Sequence, residues 1–160
     1  MTIQNGDSIP NSTLTIMGEN GPSPLSTDEI FGNRKVVLFS VPGAFTPTCS
    51  AKHLPGFINH ADEILATGVD TIACVSVNDV FVMNAWGKSA GADKIQMLAD
   101  GNGDFAVALG LELDATGFGM GQRSQRFALV AENGVVTKLF IEGPGEFRVS
   151  SAEHVLSSLQ

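Results

Sequence analysis

Val36-Val37-Leu38-Phe39-Ser40-Val41 reads as a continuous apolar, β-branched run. Such a strand has no face to give to water, so both faces must be covered, and it is expected as a central strand of an α/β sheet. Directly after it, Pro42-Gly43-Ala44-Phe45-Thr46-Pro47-Thr48 turns the chain and delivers Cys49 to the start of a second segment. From Ser50 to Ala66 that segment carries Leu54, Phe57, Ile58, Ala61, Ile64 and Leu65 at helical spacing, and Gly68 is its natural stop. Pro55-Gly56 is expected to kink this helix, because an interior proline removes a hydrogen bond and crowds the preceding turn.

The pattern then repeats. Thr71 to Val77 reads as a second buried strand, and Asn78-Asp79 as the cap of a helix over Val80 to Ala90. Ile95 to Ala99 is a short third strand, followed by a short helix from Asp104 to Gly110. Phe127 to Ala131 and Val135 to Ile141 flank Glu132-Asn133-Gly134, a pair of strands with the Asn-Gly dipeptide that tight hairpins require. Asn11 to Met17 alternates weakly before Gly18-Glu19-Asn20-Gly21-Pro22 and reads as an early hairpin strand, and Ala152 to Leu159 as a closing amphipathic helix. These elements predict one domain over residues 1–160, with a mixed sheet between layers of helices.

Charge and cysteine usage narrow the functions. The formal net charge is −8, with nine scattered basic residues, which argues against nucleic acid or an anionic membrane as partner. No apolar run approaches the roughly 18 residues of a membrane span, and the first residues lack the basic and apolar regions of a signal peptide. Two cysteines make no secreted disulfide framework, so the expectation is a cytoplasmic protein in a reducing compartment.

The chemistry gathers around Cys49. Cys74 lies in an apolar strand and suits the role of a small buried hydrophobe. Cys49 follows a turn instead, at a helix start whose unpaired amides and positive dipole end favour a thiolate. From the residues alone, structural and reactive roles both stay open. Thr46 can be an ordinary helix cap or can reach the thiol, and Pro42 and Pro47 can shape a pocket or merely stiffen a loop. His53, four residues after Cys49, suggests a metal pair, but zinc usually takes four ligands and the chain offers two cysteines and three histidines. No metal or cofactor is expected.

Pro42-Gly43-Ala44-Phe45-Thr46-Pro47-Thr48-Cys49-Ser50 resembles the active-site motif of the peroxiredoxins, and Lys52-His53-Leu54-Pro55-Gly56-Phe57 narrows the resemblance to the type II, peroxiredoxin-5-like subgroup. Val75-Ser76-Val77-Asn78-Asp79, Asn84-Ala85-Trp86-Gly87-Lys88, Met97-Leu98-Ala99-Asp100 and Arg123-Ser124-Gln125-Arg126-Phe127 extend it over almost the whole chain. The resemblance implies a thioredoxin-like fold, with Cys49 as the peroxidatic cysteine and Pro42, Thr46 and Arg126 completing the catalytic set. The sequence by itself does not choose Arg126 over Arg123.

The activity so implied is thiol-dependent reduction of hydrogen peroxide and organic hydroperoxides through a cysteine sulfenic acid. The Thr46 hydroxyl, the Cys49 amide and the Arg126 guanidinium are expected as donors to the charge that develops on the peroxide oxygens. Some relatives carry a resolving cysteine near the C-terminus, whereas Glu146-Phe147-Arg148-Val149-Ser150-Ser151 has none. Plant-type relatives have a cysteine at the position of Cys74. Its apolar strand and its separation from the helix start favour a bystander, because a disulfide needs Cα atoms within about 7 Å. The expected reductant is therefore an external thiol, glutathione with glutaredoxin or thioredoxin. The resemblance further implies a homodimer, with Phe45 and Phe81 at its contact. Two other classes compete: a disulfide oxidoreductase, which normally carries Cys-x-x-Cys, and a peroxide-sensing regulator or chaperone using the same cysteine.

Overall fold

The computed structural model describes residues 1–160. In chain order its elements are β1 (Thr13–Gly18), β2 (Gly21–Ser26), α1 (Thr27–Phe31), β3 (Lys35–Val41), a π-helical turn (Cys49–His53) running into α2 (Leu54–Ala66), β4 (Thr71–Ser76), α3 (Val80–Ala90), β5 (Gln96–Ala99), α4 (Asp104–Leu109), β6 (Glu112–Asp114), a 3-10 turn (Thr116–Phe118), β7 (Gln122–Ser124), β8 (Phe127–Glu132), β9 (Val135–Ile141) and α5 (Ala152–Leu159). Seven strands form one mixed sheet in the order β2-β1-β5-β4-β3-β8-β9, and β6 pairs with β7 apart from it. β3, β4 and β5 run parallel, while β1 and β8 are antiparallel to their neighbours in that group.

The central position of β3 follows from its composition. Val37, Phe39 and Val41 point into a core shared with Cys49, Phe57, Ile64, Trp86 and Val155. Val36 and Leu38 point the other way, onto Ile30, Phe31, Phe105 and Leu109. Alternate side chains of one strand thus fill two separate cores, which is why the run is apolar throughout. The exception, Ser40, is buried with its hydroxyl donating to Ser124 Oγ at 2.8 Å.

The Asp79 cap and the Asn-Gly turn are present. Asp79 accepts from the Val82 amide at 2.9 Å at the head of α3, and Asn133 and Gly134 take φ of 49° and 77° in the β8–β9 hairpin. The irregularity predicted at Pro55-Gly56 lies one turn earlier. The chain is already helical at Pro47, and the Leu54 amide bonds back to the Cys49 carbonyl in π geometry, ahead of the amide that Pro55 lacks. Three further pieces have too little periodicity to read. α1 is five residues long, although Ser26 and Glu29 form a reciprocal capping box at its start. β2 carries Pro22 and Pro24, which only an edge strand tolerates. β6 and β7 have three residues each.

Candidate active site

Cys49 occupies the first turn of the helix that follows β3. The first rung of that helix runs from the Ser50 amide to the Thr46 carbonyl, 2.9 Å. The Cys49 amide therefore lies ahead of the hydrogen-bonded ladder and remains a free donor beside its own sulfur. The side chain is buried, as is that of His53 one turn on.

The sheet supplies the arginine. Ser40 pairs with Phe127, so one step further along the same register brings Arg126 beside Val41, the last residue before the Cys49 loop. Arg126 Nη2 donates to Cys49 Sγ at 3.1 Å, and its Nη1 donates to His53 Nδ1 at 2.8 Å. Because guanidinium can only donate, Nδ1 of His53 must be the unprotonated nitrogen. Nε2 then carries the proton and donates to the Ser150 carbonyl at 2.9 Å. Burial, reinforced by the adjacent Arg126 charge, lowers the His53 pKa to about 3, so the ring is neutral.

Arg123 does something else. Its Nε donates to the Met120 carbonyl and its Nη1 to the Val77 carbonyl, at 2.8 and 2.9 Å, tying the strand approach to the loop after β4. Strand register places Arg126, and not Arg123, against the sulfur.

The loop from Pro42 to Pro47 is held from several sides. Asn78 Oδ1 accepts from the Ala44 amide at 2.9 Å and from the Ser76 hydroxyl at 2.6 Å. Phe45 adopts φ of 64°, a left-handed conformation unusual for a bulky residue, with its ring 6.4 Å from that of Trp86. Trp86 Nε1 donates to Ser50 Oγ at 3.1 Å. Pro42 sits half-buried immediately after β3. The Thr46 hydroxyl donates to the Gly43 carbonyl at 2.6 Å. This differs from the donor role expected of Thr46: its hydroxyl proton is committed to Gly43, which leaves only the oxygen lone pairs free to accept.

Phe39, Phe57 and Phe147 surround the His53 ring at centroid distances of 5.0, 5.7 and 4.9 Å. Phe147 also lies under the Arg126 guanidinium, 5.8 Å from ring centroid to Cζ. Cys74, opposite Phe39 in the β3–β4 register, belongs to the same apolar core as Cys49. Burial first, and the neighbouring Cys49 second, push the Cys74 thiol well up, so it stays protonated.

His53, Phe147, Ser150 and Asn78 were not legible as site residues. His53 carries a signal in its spacing from Cys49, but that spacing fits a metal ligand equally well, and only the strand register brings Arg126 to it.

Residues 4–156 match the family model described as Redoxin. Peroxiredoxin-2D of Arabidopsis thaliana is 49% identical over 156 residues, covering 96% of each chain. Reduced Prx3 of Vibrio vulnificus, crystallised in complex with H2O2, superposes with a TM-score of 0.97 at 53% identity, covering 99% of this chain and 100% of that one. The antioxidant protein of Plasmodium falciparum, a 1-Cys peroxiredoxin, superposes at 0.91 with 34% identity and 98% coverage of both chains.

Proposed function

The chain belongs to the Redoxin family as a type II peroxiredoxin, a thiol-dependent peroxidase with a thioredoxin-like fold, and from that membership we propose that Cys49 is its peroxidatic cysteine, with Arg126, Thr46 and Pro42 as its catalytic partners. The observation that carries this reading is Arg126 bridging His53 and Cys49 at hydrogen-bond distance from both.

In the proposed reaction the Cys49 thiolate attacks the terminal oxygen of a hydroperoxide. The S–O bond forms as the O–O bond breaks, the attacked oxygen keeps its hydrogen as sulfur is oxidised to sulfenic acid, and the leaving alkoxide or hydroxide takes a proton from solvent water to become alcohol or water. Negative charge spreads over both oxygens in the transition state. Arg126 and the Cys49 amide are donors already in place, and Thr46 accepts from the peroxide O–H, which orients the terminal oxygen toward sulfur. Pro42 shapes the wall behind them. Cys49 has no exposed surface, which shields the sulfur from bulk water.

Regeneration proceeds by attack of an external thiol on the sulfenic acid, releasing water and leaving a mixed disulfide that a second thiol reduces. Glutathione with glutaredoxin, or thioredoxin, fits this role because Cys74 is a protonated, fully buried thiol. The Plasmodium falciparum antioxidant protein, a 1-Cys peroxiredoxin with the same fold, supports this route by analogy. The same proposal includes a cytoplasmic location and a homodimer. Phe45 and Phe81 are 53% and 63% exposed, apolar surface that a second copy of the chain would cover.

The test is to treat reduced protein with one equivalent of H2O2, trap sulfenic acid with dimedone and map the adduct, then to follow turnover with glutathione and glutaredoxin or with thioredoxin. An adduct on Cys49, and turnover surviving Cys74→Ser, are expected. Turnover lost in Cys74→Ser with every thiol overturns the external-thiol route, and an adduct elsewhere overturns the assignment of Cys49.

A further inference from the structure

Taking Cys49 as the peroxidatic cysteine, we propose that Glu142 and Ser150 are positioning residues for the peroxide reaction: the Glu142 carboxylate folds the segment after β9 so that the Ser150 carbonyl selects the His53 tautomer that holds Arg126 against Cys49. Glu142 is 8% exposed, and its Oε2 accepts from the amides of Arg148, Val149 and Ser150 at 2.8, 2.9 and 2.8 Å and from the Ser150 hydroxyl at 2.7 Å. Burial works against the charge of this carboxyl, but the bonds from Ser150, Arg148 and Val149 outweigh it and hold the group below the usual carboxylate range. The segment from Gly143 to Ser151 has no helix or strand of its own. Four donors on one oxygen therefore set the direction in which the Ser150 carbonyl points.

That direction matters because His53 has two partners of opposite kind. A carbonyl can only accept and a guanidinium can only donate, so the ring fits between them in one tautomer. If the Ser150 carbonyl turns away, the alternative tautomer becomes accessible. Its Nδ1–H faces Arg126 Nη1, and the arginine loses the acceptor that aims it. The same residue grips Arg126 from the other end, since the Glu142 amide donates to the Arg126 carbonyl at 3.0 Å. The segment also contributes Phe147 beneath the guanidinium. Glu142 thus fixes both the backbone and, through Ser150 and His53, the head group of the arginine, as preorganised sites require of their supporting residues.

Glu142→Ala and Glu142→Gln test this, with two rate measurements and one spectroscopic one. Peroxide reaction needs Arg126 aimed at the developing oxygen charge, whereas alkylation by iodoacetamide does not. Glu142→Ala is expected to slow reaction with H2O2 by about tenfold to a hundredfold, with a smaller loss toward iodoacetamide, and Glu142→Gln, which keeps an oxygen acceptor, to recover part of the difference. Imidazole ¹⁵N shifts of the unaltered protein are expected to show His53 protonated on Nε2. A folded Glu142→Ala that reacts with H2O2 at the unaltered rate overturns the proposal. So does a His53 proton on Nδ1, a result that holds even where the alanine variant fails to fold. Failure of the peroxidase reading looks different: the unaltered protein then reacts with H2O2 no faster than free cysteine, whatever the His53 tautomer.

Discussion

Arg126 Nη2 lies 3.1 Å from Cys49 Sγ although the two residues are 77 positions apart in the chain. Two strands create the approach: β3 leads into the Cys49 helix, and its antiparallel neighbour β8 begins where Arg126 ends the preceding crossover. The guanidinium is half-buried and shared between sulfur and an uncharged imidazole, so no carboxylate competes for it. Its charge is available to an anionic transition state.

Replacing Arg126 with alanine removes that charge and leaves His53 Nδ1 without its donor. The rate of reaction with H2O2 is expected to fall by about a hundredfold or more, read as the loss of a preorganised donor. Lysine restores only part of it, because one ammonium cannot span both His53 and Cys49 as the planar fork does. Stopped-flow measurement of the three proteins at equal pH checks the order.

His53 gives the protein a pH dependence. Its folded pKa of about 3 lies below the ordinary 6.5, so between those values the unfolded chain binds a proton that the folded one excludes. Stability from this residue is complete above pH 6.5, falls as pH drops toward 3, and changes no further below that. From pH 7 to pH 5 the loss is expected to be about 2 kcal/mol, from the proton taken up by the unfolded imidazole alone. Urea denaturation at the two pH values measures it, and His53→Gln should flatten the slope.

The Pro42–Pro47 loop depends on Asn78. Asn78→Ala leaves the Ala44 amide without its acceptor, and the Ser76 hydroxyl keeps only the Val41 carbonyl, at 3.1 Å. A loss of about 1–2 kcal/mol in stability is expected from the unpaired amide. A fall in peroxide rate should accompany it, since Thr46 and the Cys49 amide ride on the same loop.

Gly43 is a steric test of the same loop. A Cβ there meets Met120 Cε at 3.0 Å and Thr46 Cγ2 at 3.1 Å. Methionine is flexible and can move, but the Thr46 methyl shares its side chain with the Oγ1 proposed to orient peroxide. Gly43→Ala should lower the H2O2 rate by about tenfold with little change in the urea midpoint, the signature of misplacement rather than unfolding.

Much of this was legible in the sequence, and the exceptions share a cause. Strands β3 and β4, helix α3 with its Asp79 cap and the Asn133-Gly134 hairpin follow from local pattern, because each element declares its period or its turn chemistry over a few residues. Cys49 was placed at its helix start by the same means. What was not legible depends on register and on long-range polar pairing. Arg123 and Arg126 differ by three positions, and only the pairing of Ser40 with Phe127 distinguishes the one that reaches sulfur. Glu142 and Ser150 follow the last strand with no local sign that both are buried around each other. Thr46 was singled out from the motif, but its hydroxyl donates to Gly43, an orientation that spacing does not encode.

Cys49, aimed by Arg126, is proposed to reduce peroxide without help from Cys74. Trp86 donates to Ser50, the residue after Cys49, so its fluorescence reports events at that sulfur. The most direct measurement mixes reduced protein with H2O2 in a stopped flow and follows that signal together with peroxide consumed, in the unaltered protein, Cys49→Ser and Cys74→Ser. The expected result is a fast phase consuming one equivalent in the unaltered protein and in Cys74→Ser, and none in Cys49→Ser. A fast phase that survives in Cys49→Ser, or disappears in Cys74→Ser, contradicts it.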